Sequence, residues 1–328
     1  MNDARTVLVT GGAGYIGSHA CAELARAGYA PVAYDNLSTG HRESVRWGAL
    51  EVGDICDHGR LGAVLLKYKP GAIMHFAAKA YVGESMEHPR KYYRNNVAGT
   101  LTLLETALEH EVRFFVFSSS CATYGIPLAS RVSETTPQVP ISPYGATKLI
   151  CEQMILDFCR SYGMTAALLR YFNAAGAHPT APIGESHDPE PHLIPCVLDV
   201  ASGRAAEVRI HGGDHPTVDG SCVRDYVHVC DLADAHVLAL KYLEQGGIPD
   251  AFNLGNGKGF SVLQVVEAAS RVTGRDIPYR ICERRAGDTA AVFADASKAA
   301  SRLGWRPNFA DLEVIIQHAW RWHQHRAY

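Results

Sequence analysis

A glycine-rich turn close to the amino terminus constrains the fold of this 328-residue chain more than any other feature. Residues 7–10, three apolar residues and a threonine, predict a short buried strand that leads into a turn with Gly11, Gly14 and Gly17. Apolar side chains then recur at helical spacing over residues 16–27, and Gly28 ends that helix. Strand, glycine turn and helix in this order are the context that a dinucleotide-binding turn requires.

This turn is suited to a pyrophosphate. Glycine lets the backbone approach the phosphates closely, and a helix start offers free N–H groups and the positive end of its dipole. The spacing Gly11-x-x-Gly14-x-x-Gly17 differs from the G-x-G-x-x-G of ordinary dehydrogenases, and purely structural turns use the same residues. A second strand over residues 31–35 ends in Asp35, where a carboxylate accepts from the adenosine ribose and repels a 2′-phosphate. The sequence therefore predicts NAD rather than NADP.

Tyr144 and Lys148 form the second informative pattern. A helix that starts just after Pro143 puts positions four apart on one face, so the phenol and the ammonium are expected side by side. A free tyrosine has a pKa near ~10, and a neighbouring ammonium favours the phenolate and lowers that pKa. The pair is therefore a candidate proton acceptor with its activating group. An incidental surface pair is the alternative.

Strands and helices alternate through the first half of the chain, which predicts a parallel sheet with helices on both faces. Further strands are expected at about residues 72–77, 114–119, 166–171 and 289–294. Helices are expected at about residues 100–110, 144–162, 231–243 and 261–273. Residues 176–192 are rich in Pro, Gly, His and Asp and are expected to form a ligand-facing loop. We predict an α/β fold, a Rossmann-type doubly wound parallel sheet with a smaller α/β substrate-binding domain.

Composition excludes several classes of function. The net charge is −3, with 31 basic and 34 acidic residues, so the sequence predicts neither a nucleic-acid partner nor binding to an anionic membrane. No run approaches the ~20 apolar residues of a membrane span. Nine cysteines without a Cys-x-x-Cys pair suit reduced thiols and a cytoplasmic protein. Cys222, His228 and Cys230 are interpreted as core residues, and no metal is expected.

Short motifs along nearly the whole chain resemble the extended short-chain dehydrogenase/reductase family and, within it, the UDP-glucose 4-epimerase group. They lie at residues 10–19, 35–37, 53–55, 75–78, 82–85, 92–97, 117–120, 142–145, 169–173, 223–229 and 284–288. The first marks only the superfamily. The combination of Ser118-Ser119-Ser120, Val82-Gly83-Glu84-Ser85 and the Arg-Asp-Tyr-Val-His-Val run at 224–229 is much more specific.

This resemblance implies NAD-dependent interconversion of UDP-glucose and UDP-galactose through a 4-keto intermediate. Tyr144 would be the base for the 4-hydroxyl proton, and Lys148 would lower its pKa and bond the nicotinamide ribose. Ser120 would hydrogen-bond the same sugar oxygen and help to pass the proton. Ala122 replaces a common family threonine, and His211 replaces an aromatic residue beside the uracil, so the contacts of both positions are open.

The resemblance also implies two sets of binding residues. The NAD set is Gly11, Gly14, Tyr15, Ile16, Gly17, Asp35, Asn36, Leu37, Asp54, Ile55, Phe76, Ala77, Ala78, Asn95, Ser118, Tyr144, Lys148 and Phe172. The UDP-sugar set is Ser120, Tyr144, Asn173, His192, Leu193, Arg224, Arg285, Asp288 and Val292. Within it, two arginines suit a diphosphate, because each guanidinium bonds phosphate oxygens in bidentate fashion.

Domain boundaries and assembly are implied in the same way. Residues 1–172 and 225–254 would form the NAD-binding domain, and residues 173–224 and 255–328 the nucleotide-sugar domain. The helices at about 100–110 and 144–162 would form a homodimer through a two-fold four-helix contact.

Val292 matches the residue that, in the family, gates the sugar pocket, where a small side chain admits UDP-GlcNAc and UDP-GalNAc. Packing in a strand explains a valine at this position equally well.

Other readings remain open. A UDP-pentose (xylose/arabinose) 4-epimerase would share the whole machinery. A 4,6-dehydratase or a decarboxylase would share Tyr144, Lys148 and NAD, but a dehydratase needs an acid–base pair where this chain has Cys121 and Ala122. A cofactor-sensing regulator would keep the fold, but the presence of Tyr144, Lys148 and Ser120 argues against it.

Overall fold

The computed structural model describes residues 5–284 and 288–328. Its strands are β1 (Thr6–Thr10), β2 (Ala30–Asp35), β3 (Ala49–Val52), β4 (Ala72–His75), β5 (Phe114–Ser120), β6 (Arg131–Val132), β7 (Thr165–Tyr171), β8 (Asn173–Ala175), β9 (Val208–His211), β10 (Val223–Arg224), β11 (Tyr226–His228), β12 (Asp250–Leu254), β13 (Phe260–Ser261), β14 (Tyr279–Cys282) and β15 (Ala291–Ala294).

A seven-stranded sheet dominates the described part of the chain, in the order β12-β7-β5-β4-β1-β2-β3. Every neighbouring pair in it is parallel. The order reverses beside β1, which lies between β2 and β4. In such sheets a crevice opens outside the carboxyl ends of the strands at this reversal, and ligands bind there. The turn after β1 therefore lies at the expected ligand crevice.

The helices are α1 (Tyr15–Arg26), α2 (His58–Tyr68), α3 (Val82–Glu87), α4 (Pro89–Tyr92), α5 (Gly99–Glu109), α6 (Pro143–Tyr162), α7 (Leu193–Ala201), α8 (Val229–Glu244), α9 (Val262–Thr273), α10 (Ser297–Arg302) and α11 (Leu312–Gln324). A π-helical turn at Tyr93–Ala98 joins α4 to α5, and short 3-10 turns lie at Arg42–Ser44 and Cys121–Tyr124. No helix among the described residues has both the length and the apolar character needed to cross a membrane.

Helices cover both faces of the large sheet. On one face α1, α8 and α10 bury apolar side chains such as Leu24, Leu240 and Ala299 against it. On the other face α2, α5 and α6 contribute Leu61, Leu104 and Ile155 to a separate core. Burial on both faces explains why the strands are almost continuously apolar rather than alternating.

A smaller α/β unit packs beyond the carboxyl ends of the strands of the large sheet. Its core joins α7, α9 and α11 with β9, through side chains that include Val197, Ile210, Val265 and Ile315. Short strands form a second sheet in the order β13-β10-β15-β6, and β11-β8 and β14-β9 form two-stranded parallel pairs. Between these segments the chain returns to the large sheet through α8 and β12. The domain boundaries given above stay a prediction.

The expected fold class is confirmed, because the large parallel sheet carries helices on both faces. The expected strands and helices are present, with ends that differ by one or two residues at most positions. Ser261 caps α9 as the sequence indicates, and Gln264 completes a capping box with it. The strand expected from residue 289 begins at Ala291.

Candidate functional site

The glycine turn packs its backbone directly against the residues that follow β4. Gly11 has a φ of +73°, and a Cβ there would lie 2.7 Å from the backbone nitrogen of Ala77. A Cβ on Gly17 would lie 2.1 Å from the carbonyl oxygen of Gly11. Only glycine fits either position. The helix α1 begins after Gly14 without a side-chain cap, so its first N–H groups remain for a ligand.

Asp35 ends β2 beside this turn, and its side chain is buried. Its Oδ2 accepts a hydrogen bond from the backbone N–H of Ala13 at 3.0 Å, and its Oδ1 accepts from that of Leu37 at 2.8 Å. Burial raises the pKa of Asp35, and these two hydrogen bonds oppose the rise. Each oxygen keeps a further lone pair, which suits the two hydroxyls of a ribose.

Asp54 and Asn36 meet at the neighbouring strand end. Asn36 donates to Asp54 Oδ2 at 2.8 Å, and Asp54 Oδ1 accepts from the backbone N–H of Cys56. The cap of α2 is Asp57, which excludes the alternative that Asp54 serves as that cap. Ile55 is buried beneath the pair.

Residues after β4 and on the π-helical turn complete this side of the crevice. Phe76 packs against His236, with ring centroids 4.6 Å apart, and Ala77 and Ala78 continue from it. Asn95 donates to the side-chain oxygen of Asn96 at 3.0 Å. π-Helical turns of this kind are frequent at functional sites.

Tyr144 and Lys148 lie at the start of α6, next to the carboxyl end of β5. Ser142 caps this helix by accepting from the backbone N–H of Gly145 at 3.2 Å, and Pro143 takes the first helical position. Tyr144 lies against Tyr92 in an edge-on contact, with ring centroids 6.5 Å apart. Lys148 is buried and lies over the ring of Phe117. The incidental surface pair is therefore excluded for the lysine.

The effect of Lys148 on the pKa of Tyr144 stays a prediction, because burial dominates the pKa of Tyr144 in the protein by itself. Burial raises the pKa of Tyr144 to about 12, although a hydrogen bond with Ser120 lowers it. Lys148 Nζ donates to the backbone oxygen of Ser118 at 2.6 Å and lies 6.0 Å from the centre of the tyrosine ring. Burial also lowers the pKa of Lys148, to about 8. Burial is thus the largest influence on the pKa of both groups.

Ser120 ends β5 and precedes the 3-10 turn at Cys121–Tyr124. Its Oγ accepts from the backbone N–H of Ala122 at 3.1 Å, and its hydroxyl opposes the effect of burial on the pKa of Tyr144. Ser118, two residues earlier on the same strand, contacts the hydroxyl of Tyr171 at 2.5 Å. The three candidate catalytic residues Ser120, Tyr144 and Lys148 are thus brought together at one strand end.

A second group of predicted residues meets on the smaller unit. Arg224 donates to the backbone oxygen of Thr289 at 2.8 Å and lies 3.4 Å from Asp288 Oδ1. Val292 pairs in register with Arg224 across β10 and β15. Arg285 lies outside the described residues.

Asn173, Phe172, Leu193 and His192 border the region between the two units. Asn173 donates through Nδ2 to the backbone oxygen of Asp225 at 3.1 Å, and Phe172 is buried next to Tyr124. Leu193 begins α7, and His192 occupies the N-cap position of that helix without a capping bond from its side chain. Burial disfavours the charged form of His192, but Glu185 and Glu190 outweigh burial and raise its pKa to about 10.

Sequence reasoning missed Lys79. Its Nζ donates to Ser38 Oγ at 2.8 Å, and its charge attracts Asp54 and Asp35. Burial lowers the pKa of Lys79 in spite of these acids. The available signal was its place directly after the motif that ends β4, since loops at that edge of a parallel sheet contact ligands. The acidic partners of His192 were missed as well.

These features fit a dinucleotide. The backbone at Gly11 and Gly17 leaves no room for a Cβ, α1 starts without a cap, and a carboxylate ends β2. Such a turn, helix start and acid would hold the pyrophosphate and the adenosine ribose of NAD.

The chain is similar to known proteins along nearly its whole length. A model of the NAD dependent epimerase/dehydratase family matches residues 7–255. The UDP-glucose 4-epimerase of Rhizobium meliloti strain 1021 is 52% identical over 320 residues, covering 98% of this chain and 97% of that protein.

Solved structures agree with this. The UDP-glucose 4-epimerase of Brucella ovis in complex with NAD has a TM-score of 0.95 at 51% identity, covering 97% of this chain and 98% of that one. The UDP-glucose 4-epimerase of Stenotrophomonas maltophila, with bound NAD and formylated UDP-arabinopyranose, has a TM-score of 0.94 at 41% identity, and 98% of both chains is covered.

We predict that Asp35→Ser weakens the preference for NAD over NADP by about tenfold or more, because it removes the charge that repels a 2′-phosphate. Serine keeps one side-chain oxygen that can accept a hydrogen bond from a backbone N–H of the turn. The ratio of NAD⁺ to NADP⁺ affinity, measured by calorimetry on cofactor-stripped protein, checks this. Asp157→Ala on the exposed surface of α6 is the control. An unchanged ratio in Asp35→Ser would contradict the assignment.

Proposed function

The chain belongs to the NAD dependent epimerase/dehydratase family, and we propose that it interconverts UDP-glucose and UDP-galactose through a 4-keto intermediate. It is an isomerase with NAD as its cofactor. The observation that carries this proposal is the meeting of Ser120, Tyr144 and Lys148 at the end of β5, beside a turn that fits a dinucleotide.

The reaction inverts a carbon that bears a hydroxyl and an unactivated hydrogen. Direct removal of that hydrogen as a proton is prohibitive, whereas oxidation to a ketone makes the carbon flat. NAD, when bound, would supply a hydride acceptor for C4 and the hydride donor for the ketone. The protein must therefore hold the 4-hydroxyl proton during the ketone stage and leave the sugar room to turn.

Tyr144 is the proposed acceptor of that proton. With a pKa of about 12, Tyr144 by itself stays protonated at neutral pH and cannot accept another proton. Positive charge nearby must therefore favour its phenolate. Lys148 and the oxidised nicotinamide ring would supply this charge. Against the effect of burial, Ser120 lowers the pKa of Tyr144 in the protein by itself and would position the sugar oxygen between the two hydroxyls. Lys148 would also bond the nicotinamide ribose.

We predict that Tyr144→Phe lowers turnover of UDP-galactose at least about 100-fold while NAD stays bound, because only the proton acceptor is removed. Product separation after incubation with UDP-galactose measures turnover, and release of NAD on denaturation measures the cofactor. Tyr162→Phe at the exposed end of the same helix is the matched control and should keep full activity. Near-normal turnover in Tyr144→Phe would refute the mechanism.

The nucleotide part of the substrate is proposed to bind on the smaller unit. Arg224 is held toward Asp288 at 3.4 Å, in a geometry that leaves guanidinium N–H groups for a diphosphate. Arg285 would be the second arginine of this clamp, and Asp288 would accept from the uridine ribose. Asn173, Leu193 and His192 are proposed to line the same site.

Val292 is proposed to set the range of sugars. It is half-buried against Tyr124 and Phe172, close to the strand that carries Arg224. A valine here lacks the bulk of a tyrosine and would leave space beside the sugar C2 for an acetamido group. The protein is therefore expected to interconvert UDP-GlcNAc and UDP-GalNAc as well.

We predict that Val292→Tyr lowers UDP-GalNAc turnover by about 10–200-fold and spares UDP-galactose, since a pocket contact discriminates by about this much. Val218→Tyr, at a fully exposed position, is the control. An equal loss on both substrates would show that Val292 serves packing alone. Absence of UDP-GalNAc turnover in the wild type would also contradict the proposal.

A homodimer is the proposed assembly. Helices α5 and α6 lie side by side on one face of the sheet, and Leu101 on α5 is exposed. We predict twice the mass of one chain by light scattering at micromolar concentration, and dissociation by Leu101→Glu but not by Leu66→Glu on α2. A monomeric wild type would contradict this.

The reduced thiols that the cysteine pattern indicates suit a protein of the cytoplasm.

A dehydratase is disfavoured by the residues that follow Ser120. Cys121 is too basic for acid–base work, because burial raises the pKa of its thiol to about 12, and Ala122 carries no titratable group. A UDP-pentose 4-epimerase remains the second candidate, since the similar Stenotrophomonas protein binds a formylated UDP-arabinopyranose. Parallel incubations with UDP-arabinopyranose and UDP-galactose distinguish the two.

A further inference from the structure

Four side chains converge in the loop between β8 and α7, apart from the candidate catalytic residues. Glu185, His187, Glu190 and His192 each offer one nitrogen or oxygen atom, and these four atoms lie within 4.8 Å of one another. We refer to these residues as the Glu/His tetrad. All four fall within eight consecutive residues, and the loop folds so that they face a common point.

The distances within the tetrad are those of a small coordination sphere. His192 Nδ1 lies 2.8 Å from Glu185 Oε1 and 2.9 Å from Glu190 Oε1. His187 Nδ1 lies 3.5 Å from Glu185 Oε1 and 3.4 Å from Glu190 Oε2. In a tetrahedral zinc site with bonds of 2.0–2.1 Å, neighbouring ligand atoms lie about 3.3 Å apart. The observed spacings lie on both sides of this value.

Two donor atoms of the tetrad lack a hydrogen-bond partner. Glu190 Oε2 and His187 Nδ1 are both buried and make no hydrogen bond. The side chains of Glu190 and Glu185 are only 8% and 7% exposed. The two atoms lie 3.4 Å from each other, within ion-pair distance but without the geometry of a hydrogen bond, and a bound group would satisfy both.

The charges of the tetrad indicate that the bound group is a cation. Two buried carboxylates carry two negative charges, and no lysine or arginine among the described residues forms an ion pair with either of them. Without an ion, burial is outweighed by the two carboxylates, which raise the pKa of both imidazoles, so that protons balance the charge. One divalent cation with two neutral imidazoles would balance it equally and would replace both protons. His192 is 44% exposed, which leaves a path of entry from solvent.

We propose that the Glu/His tetrad binds one divalent transition-metal ion of the Zn²⁺ class. Imidazole nitrogen is a preferred ligand of zinc and its neighbours, whereas Mg²⁺ and Ca²⁺ prefer oxygen ligands. Four protein ligands fill a tetrahedral sphere, which is the arrangement of a structural rather than a catalytic zinc site.

The place of the tetrad shows what the ion would hold together. The ring of Tyr15, at the start of α1, lies 6.5 Å from that of His187, and the Tyr15 hydroxyl donates to the backbone oxygen of Gly176 at 2.7 Å. Trp322 on α11 donates to the backbone oxygen of Glu185 at 2.8 Å. A bound ion would fix this loop between the glycine turn and the carboxyl-terminal helix.

The test uses the full chain, purified without a histidine tag. After incubation with Zn²⁺ and gel filtration, elemental analysis is expected to find about one equivalent per chain, and Co²⁺ in its place should give the strong visible absorption of tetrahedral coordination. Zn²⁺ should also raise the melting temperature relative to chelator, whereas Mg²⁺ should not.

Glu190→Gln and His187→Ala should lose both the metal and the thermal shift. His58→Ala is the matched control, because His58 forms an exposed pair with Glu109 at 2.9 Å and lacks further ligands. Wild-type protein that binds no Zn²⁺ and shows no Co²⁺ absorption would overturn the proposal, and so would equal metal content in all variants. The wild-type measurements decide even where a variant fails to fold.

Discussion

The close backbone contact between the glycine turn and the residues after β4 is the constraint on which the site depends. Gly11 touches the backbone of Ala77, and Gly17 touches Gly11, so the turn is held at the point where the strand order reverses. This contact places the start of α1, the carboxylate of Asp35 and the end of β4 around one crevice. A side chain at either glycine would separate them.

Burial then decides the chemistry that the crevice supports. Lys148 is buried and Tyr144 is half-buried, and desolvation disfavours the phenolate and the ammonium alike. The two groups are thus poised to respond to a charged ligand. Tyr144 would become a proton acceptor only when cofactor and substrate are bound. It would therefore not remove protons from water in their absence.

The long loop before α7 connects the two units. His192, which the family resemblance predicts to contact substrate, pairs with Glu185 and Glu190, and the same loop contacts Tyr15 and Trp322. One polar cluster therefore connects His192, Tyr15 next to the glycine turn, and Trp322 on the carboxyl-terminal helix. A rigid cluster would hold these three segments in fixed positions relative to one another.

The sequence by itself determined the parallel sheet, the glycine turn, the acid after β2 and the cap of α9, because each depends on local backbone preference or short-range periodicity. It also indicated Tyr144 and Lys148 through their helical spacing. Only the tertiary structure decided their pKa values, the pairing of Arg224 with Asp288, the role of Lys79 and the Glu/His tetrad. These depend on burial and on contacts between distant segments, which no local pattern encodes.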